Sequence, residues 1–206
     1  MVTMVHRIAG FQPERFTKSA LLVFFVAFAM TISIVQSVFA EDFPPTDGDM
    51  QGFVLVKERP PAPDTAFLDA DGNAIAVPDF EGRVLLLNFW ATWCPPCIRE
   101  MPSLDRLQAE MGSDDFSVIA ISADAGGKAV AGPYLRDRLG LANLDLYLDP
   151  KFTAWQAFKA GGLPATFAID RKGRIVGVYR GEAKWDGDDA KALIRHLLDE
   201  SPGASG

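Results

Sequence analysis

An apolar run, a short turn and a pair of cysteines follow one another in Val84-Leu-Leu-Leu-Asn-Phe-Trp-Ala-Thr-Trp-Cys-Pro-Pro-Cys97. The run 84–90 has the length and apolar character of a strand buried on both faces of a sheet. A helical pattern begins directly after the turn, so Cys94 and Cys97 lie three residues apart on the first helical turn. A C-x-x-C pair at a strand-to-helix turn is typical of a thiol-disulfide redox site.

These two cysteines are the only ones in the 206-residue chain. At this spacing their side chains are close enough to form a disulfide. The N-terminus of a helix stabilises a thiolate, so we expect the Cys94 thiol to ionise readily and to reach solvent. A structural zinc site needs four ligands, and the two histidines of the chain are too few to complete one. A purely structural disulfide is the alternative, although closing so short a loop removes little chain entropy.

Residues 1–40 carry the pattern of an export signal. Three basic residues precede the uncharged 22-residue run Ser19–Ala40, which ends with small residues at Val38 and Ala40. The run is also long enough to span a bilayer. We therefore expect either cleavage after Ala40 or anchoring to the inner membrane by residues 19–40. In both cases the remaining chain faces an oxidising compartment, which we predict to be a bacterial periplasm.

The composition beyond residue 40 limits the classes of partner. Its 17 basic and 26 acidic residues give a net charge near −9, which disfavours binding to nucleic acid. With only two cysteines, the exported protein must be held together by an apolar core, and its length fits one domain. We predict a proline-rich linker over 41–61, in which residues 53–56 could pack as a short edge segment, and one domain over 62–202.

The hydrophobic periodicity predicts alternating strands and helices. The predicted elements are a hairpin within 66–80, a strand at 83–90, a helix at 95–111, a strand at 116–122, a helix at 127–139, a strand at 144–148, a helix at 151–160, strands at 166–170 and 174–180, and a helix at 188–200. This order predicts an α/β fold with a mixed central β-sheet flanked by helices.

Three motifs together resemble the TlpA/ResA branch of the thioredoxin superfamily. They are Asn88-Phe-Trp-Ala-Thr-Trp-Cys-Pro-Pro-Cys97 with the following Arg99-Glu-Met-Pro-Ser-Leu104, the loop Gly161-Gly-Leu-Pro-Ala-Thr-Phe-Ala-Ile-Asp170, and Gly181-Glu-Ala-Lys-Trp185, which is most similar to TlpA. The resemblance covers about residues 62–200. It implies a thioredoxin-like fold with an N-terminal β-hairpin extension and the activity of a thiol:disulfide oxidoreductase.

The resemblance also implies catalytic roles. Cys94 is expected to be the nucleophile, Cys97 the buried resolving thiol, and Glu100 a carboxylate that assists proton movement. A solvated glutamate favoured by the helix dipole is the alternative for Glu100. Asn88 stands where thioredoxin itself carries a buried acid, and its amide cannot titrate. We expect Trp185 to serve in packing.

The predicted substrate-binding residues flank the cysteines or lie in the family's proline loop: Trp93, Pro95, Pro96, Leu163 and Pro164. The resemblance implies a cis bond between Leu163 and Pro164. That bond would bring the Leu163 backbone beside Cys94, where it could pair with a substrate strand. Trp93 is expected to cover the cysteines and to offer apolar surface to partners.

The most favoured function is that of a reductant of protein disulfides, supplied with electrons by an upstream membrane donor. The resemblance points to a copper chaperone, an oxidase subunit or apocytochrome c as partner, and thus to oxidase assembly or cytochrome biogenesis. A disulfide oxidant is less favoured, because residues 123–143 leave little room for the helical insertion such proteins carry. A thioredoxin-like copper chaperone would use C-x-x-x-C and a distal histidine, and a binding module would hold an inert disulfide. We expect neither a bound metal nor a cofactor.

Overall fold

The computed structural model describes residues 43–200, and one sheet of eight strands runs through them. In chain order the strands are β1 (Phe53–Leu55), β2 (Phe67–Leu68), β3 (Ala74–Ile75), β4 (Val84–Trp90), β5 (Phe116–Ser122), β6 (Tyr147–Leu148), β7 (Ala165–Ile169) and β8 (Ile175–Arg180). Their order across the sheet is β1-β8-β7-β4-β5-β6-β2-β3. β4 pairs parallel with β5 and antiparallel with β7, so the predicted mixed sheet is confirmed.

Among residues 43–200, four α-helices pack against this sheet. They are α1 (Pro95–Met111), α2 (Lys128–Pro133), α3 (Thr153–Ala157) and α4 (Asp188–Asp199). Short 3-10 turns occur at Gly48–Met50 and Val77–Phe80, and a π-helical turn at Tyr134–Arg138 follows α2.

Every residue of β4 is buried, as its continuous apolar run predicts. Because side chains alternate along a strand, Leu86 and Trp90 enter one apolar cluster while Leu87 and Phe89 enter the other. The first cluster also contains the apolar faces of α1 and α4, and the second contains residues of α3. This burial fixes the carboxyl end of β4, from which the chain runs through a four-residue turn into α1.

Two predicted helices differ from those observed. The helix expected at 127–139 is α-helical only to Pro133 and then takes a π-helical turn. Proline has no N–H for the α-helical ladder, so the hydrogen bonding changes register at that point. The helix expected at 151–160 is confined to α3, between the left-handed residues Phe152 (φ 58°) and Lys159 (φ 52°).

The predicted linker boundary is wrong in part, because residues within 41–61 belong to the folded domain. Phe53–Leu55 forms β1 and pairs antiparallel with β8. Pro61 forms an isolated bridge with Arg174. The burial of Met50 and Phe53 in the first apolar cluster explains why this segment folds onto the sheet despite its prolines.

The predicted hairpin is present as β2 and β3, and β2 adds it to the sheet beside β6. The export signal or anchor predicted for 1–40 lies outside the described residues. Across residues 43–200, no helix combines the length and the apolar character that crossing a bilayer requires.

Candidate active site

A disulfide between Cys94 and Cys97 occupies the start of α1, with the two Cα atoms 5.3 Å apart. Cys94 is the N-cap residue of the helix, and its Sγ accepts a hydrogen bond from the Cys97 N–H at 3.3 Å. Cys97 is fully buried and Cys94 is 4% exposed. The solvent access predicted for Cys94 is therefore narrow in the disulfide form, although this residue lines a surface groove.

The turn that carries Cys94 is fastened to the neighbouring strand by a buried carboxylate. Asp124 follows β5 and accepts hydrogen bonds from the Thr92 N–H at 3.0 Å and the Thr92 hydroxyl at 2.7 Å. The Ser122 hydroxyl donates to the same carboxylate at 2.8 Å. Because β4 and β5 are parallel, their carboxyl ends meet at one edge of the sheet and these side chains come together.

Glu100 lies one helical turn after Cys97 and is 1% exposed. Its Oε1 accepts from Asn88 Nδ2 at 2.8 Å, and its Oε2 accepts from the Ala183 N–H at 3.1 Å and Trp185 Nε1 at 3.2 Å. Burial raises the pKa of Glu100 to about 7, although these three donors oppose the shift. The group can therefore gain or lose a proton near neutral pH.

The Asn88 amide is buried beside Glu100 in the middle of β4. Its Nδ2 also donates to Thr166 Oγ1 on β7 at 2.8 Å. Among residues 43–200, Asn88 Oδ1 has no hydrogen-bond partner. If the amide rotated by half a turn, Asn88 Oδ1 could accept a hydrogen bond from a protonated Glu100.

An open groove of about 650 Å³ lies beside the disulfide. Its lining is largely apolar and is formed by Trp93, Cys94, Pro95, Pro96, Lys151, Phe152, Trp155, Gln156, Gly162 and Leu163. The Trp93 side chain borders it and is 62% exposed. The Leu163-Pro164 peptide bond is cis. Pro164 itself is buried next to this groove-lining leucine.

One wall of the groove is formed by α3 and its flanks. The buried Asp149 carboxylate accepts from the Thr153 N–H at 2.9 Å, the Thr153 hydroxyl at 3.0 Å and the Trp155 N–H at 2.9 Å. Trp155 Nε1 donates to the Gly162 carbonyl at 3.3 Å, which joins α3 to the proline loop. The Phe152 and Trp155 rings meet edge to face, with centroids 6.2 Å apart.

Most of the sequence-predicted site residues lie together at this end of the sheet. Trp93, Pro95, Pro96 and Leu163 line the groove with Cys94, and Cys97 and Glu100 lie beneath the surface. Trp185 is fully buried, in keeping with a packing role, but its indole also bonds Glu100.

Sequence reasoning did not find the α3 wall, because nothing in Lys151-Phe-Thr-Ala-Trp155 indicates which surface its aromatic rings face. It also missed the bonds from Asn88 and Trp185 to Glu100. The only signal for them was the motif likeness around Gly181–Trp185. Within residues 43–200, the acidic, histidine and cysteine side chains form no cluster of three or more suited to a metal ion.

A family model for Redoxin matches residues 57–194. The chain is 31% identical to the thiol-disulfide oxidoreductase ResA of Geobacillus kaustophilus over 120 residues, 58% of this chain and 67% of the relative. It is 32% identical to ResA of Bacillus anthracis over 136 residues, 64% of this chain and 77% of that relative.

Solved structures of thiol-disulfide proteins also match this chain. A thiol:disulfide interchange protein of the thioredoxin family from Chlorobium tepidum has 26% identity and a TM-score of 0.55, and the match covers 68% of this chain and 97% of that one. A secreted thiol-disulfide isomerase from Corynebacterium glutamicum has 25% identity and a TM-score of 0.60, covering 77% and 99%. The predicted thioredoxin-like fold and the resemblance to the TlpA/ResA branch are confirmed.

Proposed function

Because the chain belongs to the Redoxin family and is a thiol-disulfide oxidoreductase, we propose that it reduces disulfides of selected proteins outside the cytoplasm. The observation that carries this proposal is the different environment of the two cysteines. Cys94 caps α1 and borders an open groove, whereas Cys97 is fully buried behind it. The Cys94 sulfur can therefore react with a partner, while the Cys97 sulfur stays buried until the resolving step.

In the proposed reaction the reduced protein starts with two thiols. The Cys94 thiolate attacks one sulfur of the partner's disulfide, which forms a mixed disulfide and releases the partner's other sulfur as a thiolate. The Cys97 thiolate then attacks Cys94 Sγ, which restores the Cys94–Cys97 disulfide and frees the second partner thiol. Two electrons pass from the protein to the partner.

The resolving step requires that Cys97 lose its proton inside the protein. Glu100 lies on the next turn of α1, and a buried carboxyl with a pKa of about 7 is suited to accept that proton at neutral pH. Asn88 and Trp185 hold the two carboxyl oxygens in place. Glu100 therefore serves as the proton acceptor rather than as a solvated surface glutamate.

Partner binding involves the surface around Cys94. Trp93 offers exposed aromatic area, Pro95 and Pro96 fix the first turn of α1, and the Leu163 backbone before Pro164 can pair with an extended segment.

The sequence and the relatives support the location and partners that we propose. The basic flank and apolar run of residues 1–40 support export to a periplasm, by cleavage after Ala40 or by anchoring. The Corynebacterium glutamicum relative is described as secreted. The partners we propose are a copper chaperone, an oxidase subunit or apocytochrome c, with an upstream membrane donor that returns electrons to Cys94–Cys97.

The reduction potential of the Cys94–Cys97 couple tests the direction of the reaction. A potential well below that of the surrounding compartment supports a reductant. A potential above it would instead make the protein a disulfide oxidant.

The roles of the cysteines are tested by trapping. Cys97→Ser keeps the attacking thiol and removes the resolving one, so mixed disulfides with partner proteins should accumulate on Cys94. The Cys94→Ser variant is the matched control and should trap little. Equal trapping through residue 97 would overturn the assignment.

A further inference from the structure

We propose that the groove beside Cys94 selects partner segments in which a large apolar residue and an acidic residue flank the reactive cysteine. This inference rests on the proposed function and adds a substrate class to it. The apolar residue would enter between Trp93 and the aromatic pair Phe152 and Trp155. The acidic residue would lie at Lys151.

The aromatic wall supports the apolar part of this preference. Phe152 and Trp155 are only partly buried, and both line the groove that contains Cys94. With Trp93 they place three aromatic side chains around one disulfide. Aromatic side chains of this kind contribute strongly to protein interfaces because they bury a large area with little loss of conformational freedom.

The wall is held rigidly, which is what selection between side chains requires. Asp149 fixes α3 through three hydrogen bonds, and Trp155 Nε1 ties α3 to Gly162 beside Leu163. Phe152 is kept at φ 58°, a left-handed conformation that a phenylalanine rarely adopts. Backbone conformations of this kind persist at binding sites when the surrounding contacts enforce them.

The acidic preference follows from charge. Of the lining residues that the structure describes, Lys151 alone carries a charge. Within residues 43–200, its ammonium forms no ion pair, whereas Arg99 pairs with Glu182 at 2.6 Å. A partner carboxylate can therefore approach Lys151 without displacing an internal ion pair.

The volume of the groove is large enough for side chains of an extended segment. About 650 Å³ lies within the range of sites that enclose a small ligand or a few side chains. An extended cysteine segment that pairs with the Leu163 backbone would direct alternate side chains into such a groove.

The experiment uses the chain from residue 41 onward, reduced with dithiothreitol and then separated from it, and four short peptides. Each peptide carries one cysteine as a mixed disulfide with 2-thiopyridine and is flanked by either Phe or Ala and by either Glu or Lys. Attack by Cys94 on the peptide sulfur releases pyridine-2-thione, which is measured by absorbance. Attack by Cys97 on Cys94 then releases the peptide thiol and leaves the Cys94–Cys97 disulfide.

We expect the rate constant to be about tenfold higher for Phe than for Ala, and about threefold higher for Glu than for Lys. Lys151→Glu should invert the charge preference without altering the apolar one. Lys159→Glu, an exposed lysine outside the lining, is the matched control and should leave both preferences unchanged. Phe152→Ala removes one aromatic ring from the wall and should reduce the preference for Phe.

Reduction of the neutral hydroxyethyl disulfide by the same proteins separates the two proposals. Equal rates for all four peptides, with normal reduction of hydroxyethyl disulfide, would overturn the substrate preference and leave the proposed function standing. Failure to reduce hydroxyethyl disulfide or any peptide would overturn the proposed function itself. A charge preference unchanged in Lys151→Glu would contradict the assignment of the acidic position.

Discussion

At the scale of single residues, Glu100 has an unusual set of neighbours. All three groups that contact its carboxyl oxygens are hydrogen-bond donors, yet burial still raises its pKa to about 7. The hydrogen-bond donors stabilise the ionised carboxylate, whereas burial stabilises the neutral carboxyl. Neither form of Glu100 therefore dominates at neutral pH. Rotation of the Asn88 amide, whose Oδ1 has no partner among residues 43–200, would present the acceptor that a neutral carboxyl needs.

Glu100→Gln should remove one titrating group from the pH dependence of the thiol-disulfide exchange rate. In the wild type, the rate of exchange with a small disulfide should show an inflection near pH 7 in addition to that of the attacking thiol. The variant should lose this inflection and react more slowly above pH 7. Stopped-flow rates between pH 5 and 9 measure both effects, and superimposable profiles would favour a glutamate without a catalytic role.

The same substitution should change how stability depends on pH. The pKa of Glu100 is about 7 in the folded protein against 4.5 for the ordinary group, so the folded state holds a proton that the unfolded chain releases. This contribution to stability is complete below pH 4.5 and is lost as the pH rises to about 7. It corresponds to about 3 kcal/mol.

Glu100→Gln stays neutral over this range and should not show the decline. As the pH rises from 4.5 to 8, the unfolding free energy of the variant should therefore increase relative to that of the wild type by about 3 kcal/mol. Urea unfolding at pH 4.5, 6 and 8 measures the difference. The rotated Asn88 amide can accept from the new Gln amide, so the variant should fold. A difference that is constant with pH would contradict the raised pKa.

At the scale of elements, β1 shows a close approach that depends on a glycine. A Cβ at Gly177 on β8 would come within 2.3 Å of the Phe53 ring and 2.7 Å of the Val54 carbonyl. Gly177→Ala should therefore push β1 from the sheet and cost about 1–3 kcal/mol of stability. Hydrogen exchange of the Val56 N–H, which bonds the Val176 carbonyl at 2.8 Å, reports the loss of β1 directly.

Gly132→Ala is the matched control for this substitution. A Cβ there meets its nearest neighbour, Leu146, at an ordinary 3.6 Å. Alanine is also the better helix former, so this variant should be neutral or slightly more stable. If both variants lost equal stability, the contact between β1 and Gly177 would not be the cause.

The sequence predicted elements well where one local signal was strong. The apolar run of β4, the proline-started α1 and the alternation in β5 were located almost to the residue. α3 and the π-helical turn were not, because their limits depend on Asp149 and Pro133 acting against an otherwise helical pattern. The apolar residues 53–56 indicated a short edge segment within the predicted linker. Its pairing with β8 was not predicted, because it joins residues more than 120 positions apart in the sequence.

At the scale of the whole molecule, redox state and folding are linked. The oxidised and reduced forms differ in their free energy of unfolding. By a thermodynamic cycle, this difference corresponds to the difference in reduction potential between the folded and unfolded Cys94–Cys97 pair. A reductant has the lower potential when folded, so its disulfide form is the more stable. Each 30 mV corresponds to about 1.4 kcal/mol.

We therefore expect the oxidised protein to unfold at higher guanidinium concentration than the reduced protein. Paired unfolding curves with and without a phosphine reductant measure this, and a Cys94→Ser, Cys97→Ser double variant controls for effects of the reductant. Greater stability of the reduced form would identify an oxidant. This result would be independent of any partner.

The fold as a whole could be predicted from the redox motif, the proline loop and the order of elements. The sequence motif predicted the two cysteines at the start of α1, where the structure has them. The catalytic role of Glu100 was implied only by the family resemblance and stays a proposal. Trp93 and Leu163 were also predicted at the site, but the α3 side of the groove was not, because its position beside Cys94 depends on packing between segments far apart in the chain. Which residues share a cavity depends on packing that no single stretch encodes.

The strands at the two margins of the sheet have a consequence for self-association. β1 has three residues and β3 has two, although Val54 on β1 is 59% exposed. Margins this short offer few unpaired backbone groups to a second copy, so growth of the sheet into filaments is disfavoured. The proposed pairing of partner segments at Leu163 therefore need not be accompanied by polymerisation of the protein through its own edge strands.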